Sequence, residues 1–181
     1  MTKMASTGEN PFQKLMEGVD IVINAVGTSR TKDKDHSRMM DLEFPKALVD
    51  AGKASQIKKF ILVSSMFVTR PVTFVAFILN TIVPNCLGHK IEAENYIRQS
   101  GLDYVVVRPG GLGGVANMTI EQEFDDDLVK PCHPELAQGD NVWSGTLNRP
   151  TVGRVIAENL IEDKGLPSKL TFELCGGSNR G

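Results

Sequence analysis

The run Lys59-Phe-Ile-Leu-Val-Ser-Ser-Met66 sets the tightest limit on the fold. A strand with one wet face alternates apolar and polar residues, whereas an unbroken apolar run signals burial on both faces, as in parallel sheets covered by helices. The run delivers Ser64 and Ser65 to the carboxyl end of its strand. Two further runs rich in valine and isoleucine, Val19 to Val26 and Asp103 to Val107, flank it with helical patterns between them. This alternation predicts an α/β fold: a parallel sheet of about four strands with flanking helices.

Pro11 to Gly18 reads as a short amphipathic turn or two, with Phe12, Leu15 and Met16 on one face and Gly18 as the stop. Val19-Asp-Ile-Val-Ile-Asn-Ala-Val26 is a strand closing on Gly27-Thr-Ser, and Thr28 to Asp35 is a polar surface loop. From His36 to Ala51 apolar residues recur at helical spacing, and Gly52 is expected to cap the run. Pro45 within it predicts either a start near Asp41 to Phe44 or a kink, because proline lacks a donor and clashes one turn back. Val68 to Pro84 is an insertion, partly helical, and Lys90 to Gln99 is a helix stopped at Ser100-Gly101. Arg108-Pro-Gly-Gly-Leu-Gly-Gly114 is a glycine-rich turn after the next strand. Val115 to Asn141, with the solvated acidic run Asp125-Asp126-Asp127, is a long polar excursion of the kind that forms a lid or stays disordered. Thr151 is expected to cap a helix through about Glu162, and Leu170-Thr-Phe-Glu-Leu174 alternates like an edge strand before a mobile tail from Gly176.

A chain of 181 residues that is 41% hydrophobic can bury one core, so residues 1–181 are expected to form a single domain. Twenty basic and 22 acidic residues leave a formal charge of −2, which provides no field for nucleic acid or an anionic membrane and leaves small molecules or proteins as partners. Cys86, Cys132 and Cys175 are widely spaced and odd in number, which suits a reducing compartment, and no metal-ligand spacing occurs. The polar first ten residues carry neither a secretory core nor transit-peptide arginines, so the cytoplasm is the expected location, or an organelle if a segment precedes them. The apolar run Val72 to Val83 falls short of the ~20 residues needed to span a bilayer, so no transmembrane segment is expected.

Four segments in this order resemble the atypical short-chain dehydrogenase/reductases: Ile21-Val-Ile-Asn-Ala-Val-Gly27, Phe60-Ile-Leu-Val-Ser-Ser-Met66, Lys90-Ile-Glu-Ala-Glu94 and Gly101-Leu-Asp-Tyr-Val-Val-Val-Arg-Pro-Gly-Gly111. Within that group the chain is most similar to the NmrA-like branch and to the plastid translocon dehydrogenase-like component. The resemblance implies an NAD(P)-binding Rossmann fold with NADP or NAD as cofactor. It also exposes a departure, since the family opens with a strand, a GxxGxxG turn and a helix whose first NH groups hold the diphosphate. Gly110-Gly-Leu-Gly-Gly114 opens into an acidic loop and cannot replace that turn. Residues 19–26 then correspond to the family's fourth strand, which would become an exposed edge. The sequence is therefore expected to be truncated, partial, or completed by a protein partner or second copy pairing along 19–26.

The resemblance implies that Ala25, Val26 and Gly27 line the adenosine side of the cofactor, and that Pro109, Gly110 and Gly111 back the nicotinamide ribose. Turn chemistry alone explains the same small residues. Ser64 or Ser65 can orient a carbonyl or the nicotinamide amide, or simply cap a turn. Lys90 matches the family's lysine, which lowers a tyrosine pKa and grips ribose hydroxyls, so Ser65 and Lys90 are the catalytic candidates. Cys86 stands at the tyrosine position, and a thiol is a poor substitute for a phenol; His89 is a second candidate acid. Three functions follow: a redox-sensing or scaffolding protein that is not a conventional reductase, an NADPH-dependent oxidoreductase on a small carbonyl or quinone-like substrate, and a cofactor-free interaction module.

Overall fold

The structure, a computed structural model, describes residues 10–28, 31–70, 73–113, 134–140, 146–161 and 168–177. Four strands run parallel, as the alternation predicts: β1 (Ile21–Asn24), β2 (Lys59–Val63), β3 (Tyr104–Pro109) and β5 (Leu170–Gly176). A fifth, β4 (Pro134–Ala137), lies antiparallel against β5 and gives the order β1-β2-β3-β5-β4. Its mostly exposed Pro-Glu-Leu-Ala sequence carries no alternation, so part of the expected polar excursion is an edge strand. β5 accordingly sits inside the sheet rather than at its edge, and it runs through Gly176, where a mobile tail was expected. The acidic run at 125–127, Cys132, His133 and the first nine residues lie outside the described residues.

Adjacent residues of β2 and β3 face opposite sides, which is why both strands are continuously apolar. Ile61, Val105 and Val107 pack with Phe172, Leu174, Val152 and Ile156 on one face. Phe60, Leu62, Tyr104 and Val106 pack with Val49 and Ile97 on the other. Each side chain buried this fully contributes roughly 1.5–3 kcal/mol.

The helices depart from the sequence reading at their ends. α1 (Lys34–Arg38) passes through a π turn, Met39–Glu43, into α2 (Phe44–Ala54) without a break. The wider π turn precedes Pro45, which sits in the first turn of α2, and so accommodates the residue that a regular helix would reject. Gly52 is inside α2, not its cap; a methyl there would lie 2.7 Å from Ile57 Cδ1, and the turn beyond the helix is made by Gln56 at φ 54°. α3 (Phe74–Ile82) is the helical part of the 68–84 insertion, and Thr73 caps it by accepting from Ala76 N. α4 (Cys86–Gln99) starts four residues before the expected Lys90. Asn148, not Thr151, caps α5 (Arg149–Val155), which continues as a π turn, Ile156–Ile161. Among the first turns Met16 is buried but Leu15 is 73% exposed, while Phe12 meets Phe44 edge to face at 5.2 Å.

Candidate active site

The carboxyl ends of β1, β2 and β3 open onto one cleft of about 430 Å³. Ala25, Val26, Gly27, Ser64, Ser65, Lys90, Pro109, Gly110 and Gly111 all line it, so these nine expected site residues reach the same space, while the candidate acids Cys86 and His89 do not. Thr28, Met66, Phe67, Leu79, Leu112 and Arg149 are the other described residues that line it.

At the end of β1 the buried Asn24 accepts from Val26 N at 3.1 Å, bending the chain through Ala25 to Gly27. The next fixed point was not legible from sequence. Asp41, in the π turn, is 2% exposed, and its Oδ1 accepts from Thr28 N at 3.2 Å and pairs with Lys90 Nζ at 2.8 Å. Gly27 makes room for this pair: a Cβ there would stand 3.1 Å from Lys90 Nζ and 3.4 Å from Asp41 Oδ1. Asp41 Oδ2, Thr28 Oγ1 and Asn24 Nδ2 are buried without a partner among the described residues.

At the end of β2, Ser64 N donates to Val107 O at 2.7 Å and Met66 N to Pro109 O at 3.1 Å, extending the pairing with β3 past the strand. Ser64 Oγ donates to Glu94 Oε1 at 2.5 Å, which commits its proton inward. Ser65 Oγ donates to Met66 O at 3.0 Å, a bond that hydroxyl rotation can release toward the cleft. At the end of β3, Gly110 N donates to Leu174 O at 2.9 Å, and Leu147 N donates to Gly111 O at 2.9 Å.

Beneath this floor is a buried charge cluster. Arg108 gives Nη2 to Glu94 Oε2 at 2.7 Å, Nε to Glu94 Oε1 at 3.1 Å and Nη1 to Glu173 Oε1 at 3.1 Å. Arg98 adds a bond to Glu94 Oε2 at 2.7 Å and another to Thr171 Oγ1 at 3.2 Å. Burial by itself pulls the Arg108 pKa down, but the bonds and charges of Glu94 and Glu173 outweigh it and hold the guanidinium above its ordinary value. Two carboxylates and two guanidiniums thus tie α4, β3 and β5 together under Ser64.

Cys86, at the position implied for the tyrosine, does not line the cleft. Its Sγ points to Leu79 O at 3.7 Å and Asn80 Oδ1 at 3.8 Å. Burial first, and the Asp41 charge second, push the thiol above its ordinary 9.0. The folded chain therefore holds this proton where the unfolded chain releases it; that contribution to stability is present below the unfolded value and is lost as pH rises through the folded one. Iodoacetamide at pH 8 is expected to alkylate Cys86 at least about tenfold more slowly in the folded chain than in urea. Peptide mass mapping reads this, and equal rates contradict the burial. His89 Nδ1 contacts Ser37 Oγ at 3.2 Å, and His89 also stands outside the cleft lining.

These residues fit the base and ribose portions of a dinucleotide. Lys90 offers a cation and Thr28 a hydroxyl without a partner among the described residues, groups suited to sugar hydroxyls, and the glycines leave room for a close backbone approach. Among the described residues no glycine-rich turn between a strand and a helix precedes β1.

Residues 3–163 match the family described as NAD(P)H-binding. Protein TIC 62, chloroplastic, of Arabidopsis thaliana is 29% identical over 152 residues, covering 82% of this chain and 22% of that protein. A Bacillus halodurans protein described as an NAD-dependent epimerase/dehydratase superposes with a TM-score of 0.70 at 24% identity, covering 92% of this chain and 69% of that one. A short-chain dehydrogenase/reductase from Veillonella parvula, solved in complex with NADP, gives 0.66 at 16% identity, covering 93% and 67%. The chain spans less than half the length of the curated relatives it matches, 39% and 22% of the first two. No described helix is long and apolar enough to cross a membrane. The sheet order, the strand-end cleft and a match over most of its length agree: the chain belongs to the NAD(P)H-binding family, on the Rossmann-like fold of short-chain dehydrogenase/reductases and epimerases.

Proposed function

We propose that residues 1–181 act as one nicotinamide-dinucleotide-binding unit that senses redox state or scaffolds a partner instead of reducing a substrate as a conventional reductase. The observation that carries this is the division of the lining residues. Lys90 faces the cleft with Ser64, Ser65 and the strand-end glycines, whereas Cys86 is turned away, and among the described residues none that lines the cleft is a tyrosine, histidine or cysteine. The cleft can hold and orient a cofactor through the Lys90 ammonium and the Gly27, Gly110 and Gly111 backbone, but it lacks a phenol to pass a proton to a carbonyl. When bound, the dinucleotide would supply hydride chemistry; Ser65 and Lys90 would position it.

Titration of the purified chain with NADPH and NADP, followed by calorimetry and accompanied by sizing, tests the reading. Saturable binding without NADPH oxidation in the presence of small carbonyls and quinones is expected. Absence of binding at millimolar dinucleotide would sink it. Steady turnover would favour the oxidoreductase reading, which the joint presence of Ser65 and Lys90 in the cleft supports. A concentration-dependent dimer without cofactor affinity would favour the interaction module, for which the 42% exposed Ile23 on β1, at the end of the described sheet, is the support. The chloroplastic names of the relatives make an organelle the alternative to the cytoplasm, and imaging of a tagged chain separates the two.

A further inference from the structure

α3 buries one face and leaves a second apolar face uncovered. Ala76, Leu79 and Val83 turn inward and pack with Val68, Cys86 and Leu87. Phe74, Phe77, Ile78 and Ile82 stand outward, the two phenylalanines 74% and 67% exposed. Their spacing of i, i+3, i+4 and i+8 draws one stripe along the helix. A solvated helix face is normally charged or polar, yet Phe74–Ile82 contains no charged residue.

The two ends of the stripe are complementary. At the amino end projects Phe74, the most exposed large apolar side chain among the described residues. At the carboxyl end Thr31, Lys32, Thr81 and Ile82 line an open hollow of about 470 Å³. Ile78 lies midway, four residues from each end. A projection and a hollow placed equally far from a central residue are what a two-fold interface requires, where each copy offers both halves of every contact. An axis through Ile78 runs two copies of α3 antiparallel and sets Phe74 of each, about 6 Å along the helix from the axis, against Ile82 of the other. Lys32 then meets the face of the incoming ring, a favourable cation–π contact. Without charge the stripe has nothing to select an acidic or basic partner, whereas a second copy matches it apolar to apolar. The outward parts of the four side chains come to roughly 400 Å² per copy, about half of what each partner buries in a standard interface. That area suits a small, reversible dimer.

We propose that the outer face of α3 is a homodimer surface, on which two copies pair antiparallel across Ile78 with each Phe74 seated in the hollow at Thr31, Lys32, Thr81 and Ile82 of the other. This pairing is separate from the dinucleotide cleft and from the β1 edge. Sedimentation velocity of the full chain across the micromolar range should show a reversible monomer–dimer equilibrium. Phe77→Glu puts a charge at the centre of the pairing and should weaken it about a hundredfold, and Phe74→Ala about tenfold, both with NADPH affinity unchanged. Ile23→Lys, on the β1 edge, should leave the equilibrium where it is. In a Cys132→Ser background, mild oxidation should join Ile78→Cys chains to one another. It should also join Phe74→Cys chains to Ile82→Cys chains when the two are mixed, but neither to itself. A chain that stays monomeric, a dimer that Phe77→Glu leaves intact or Ile23→Lys dissolves, or the absence of both cross-links would overturn the proposal. So would flotation of the monomer with neutral phosphatidylcholine vesicles that Phe77→Glu abolishes, which would assign the stripe to lipid.

Discussion

Arg108→Met is expected to destabilise the chain by about 3–5 kcal/mol, because it leaves carboxylates in the interior without their counter-charge. At roughly 2–4 °C per kcal/mol for a domain of this size, the melting temperature falls by about 6–20 °C. Glu94 loses both of its Arg108 bonds, and Glu173, whose Oε2 already has no partner among the described residues, loses the one at Oε1. Arg98 cannot take over fully, since its side chain is 27% exposed and it reaches only Oε2 of Glu94. Arg108→Lys keeps the charge but gives up the fork that grips Glu94 twice, so it should fall between the parent and the methionine variant. Equal melting temperatures for all three would show that the cluster contributes nothing net. The triple change Arg108→Met, Glu94→Gln, Glu173→Gln removes charges together, and it should recover part of the loss if uncompensated charge is the cause.

Lys90→Met should have the next largest effect, about 2–4 kcal/mol, reduced from a fully buried pair because the lysine side chain is 17% exposed. Asp41, whose side chain is 0% exposed, then keeps only the Thr28 amide on Oδ1. Asp41→Asn in the same chain removes the stranded charge, so the double variant should be more stable than Lys90→Met alone. Urea melts of the four members of the cycle give the coupling. Dinucleotide affinity should fall with every variant that lacks Lys90, whatever its stability; strong binding by the double variant would remove Lys90 from the site.

The cleft was legible in the sequence because its residues lie at the ends of apolar runs, where chain direction alone places them at the carboxyl edge of a parallel sheet. The residues that fix the cleft were not legible. Asp41 falls among Met39, Met40 and Leu42 in a run read for its apolar spacing, and nothing local says that a carboxylate there turns inward toward a lysine 49 positions later. Glu94 and Arg108 were seen as motif letters, but their pairing spans 14 residues and the one with Glu173 spans 65, distances that no periodicity encodes. Glu173 itself produced the alternation that made β5 look like an edge, since a buried charge mimics a solvated one until its partner is known. β4 escaped notice because its backbone pairing, rather than its side chains, makes it a strand. Asn148 outranked Thr151 as the cap because its Oδ1 reaches Thr151 N at 2.8 Å, with Pro150 between them already fixed for helix entry.

The strand order has a consequence for the chain as it is made. β4 is synthesised before β5, yet among the described strands it pairs with β5 alone, and β5 enters between it and β3. Until residues 170–176 leave the ribosome, β4 has no neighbour, one side of β3 is open, and Arg108 has only Glu94 to answer it. The last of the described strands to be translated is therefore the one that covers this side of β3, and a nascent chain stopped before it would present β3 as an uncovered edge to chaperones or to other chains.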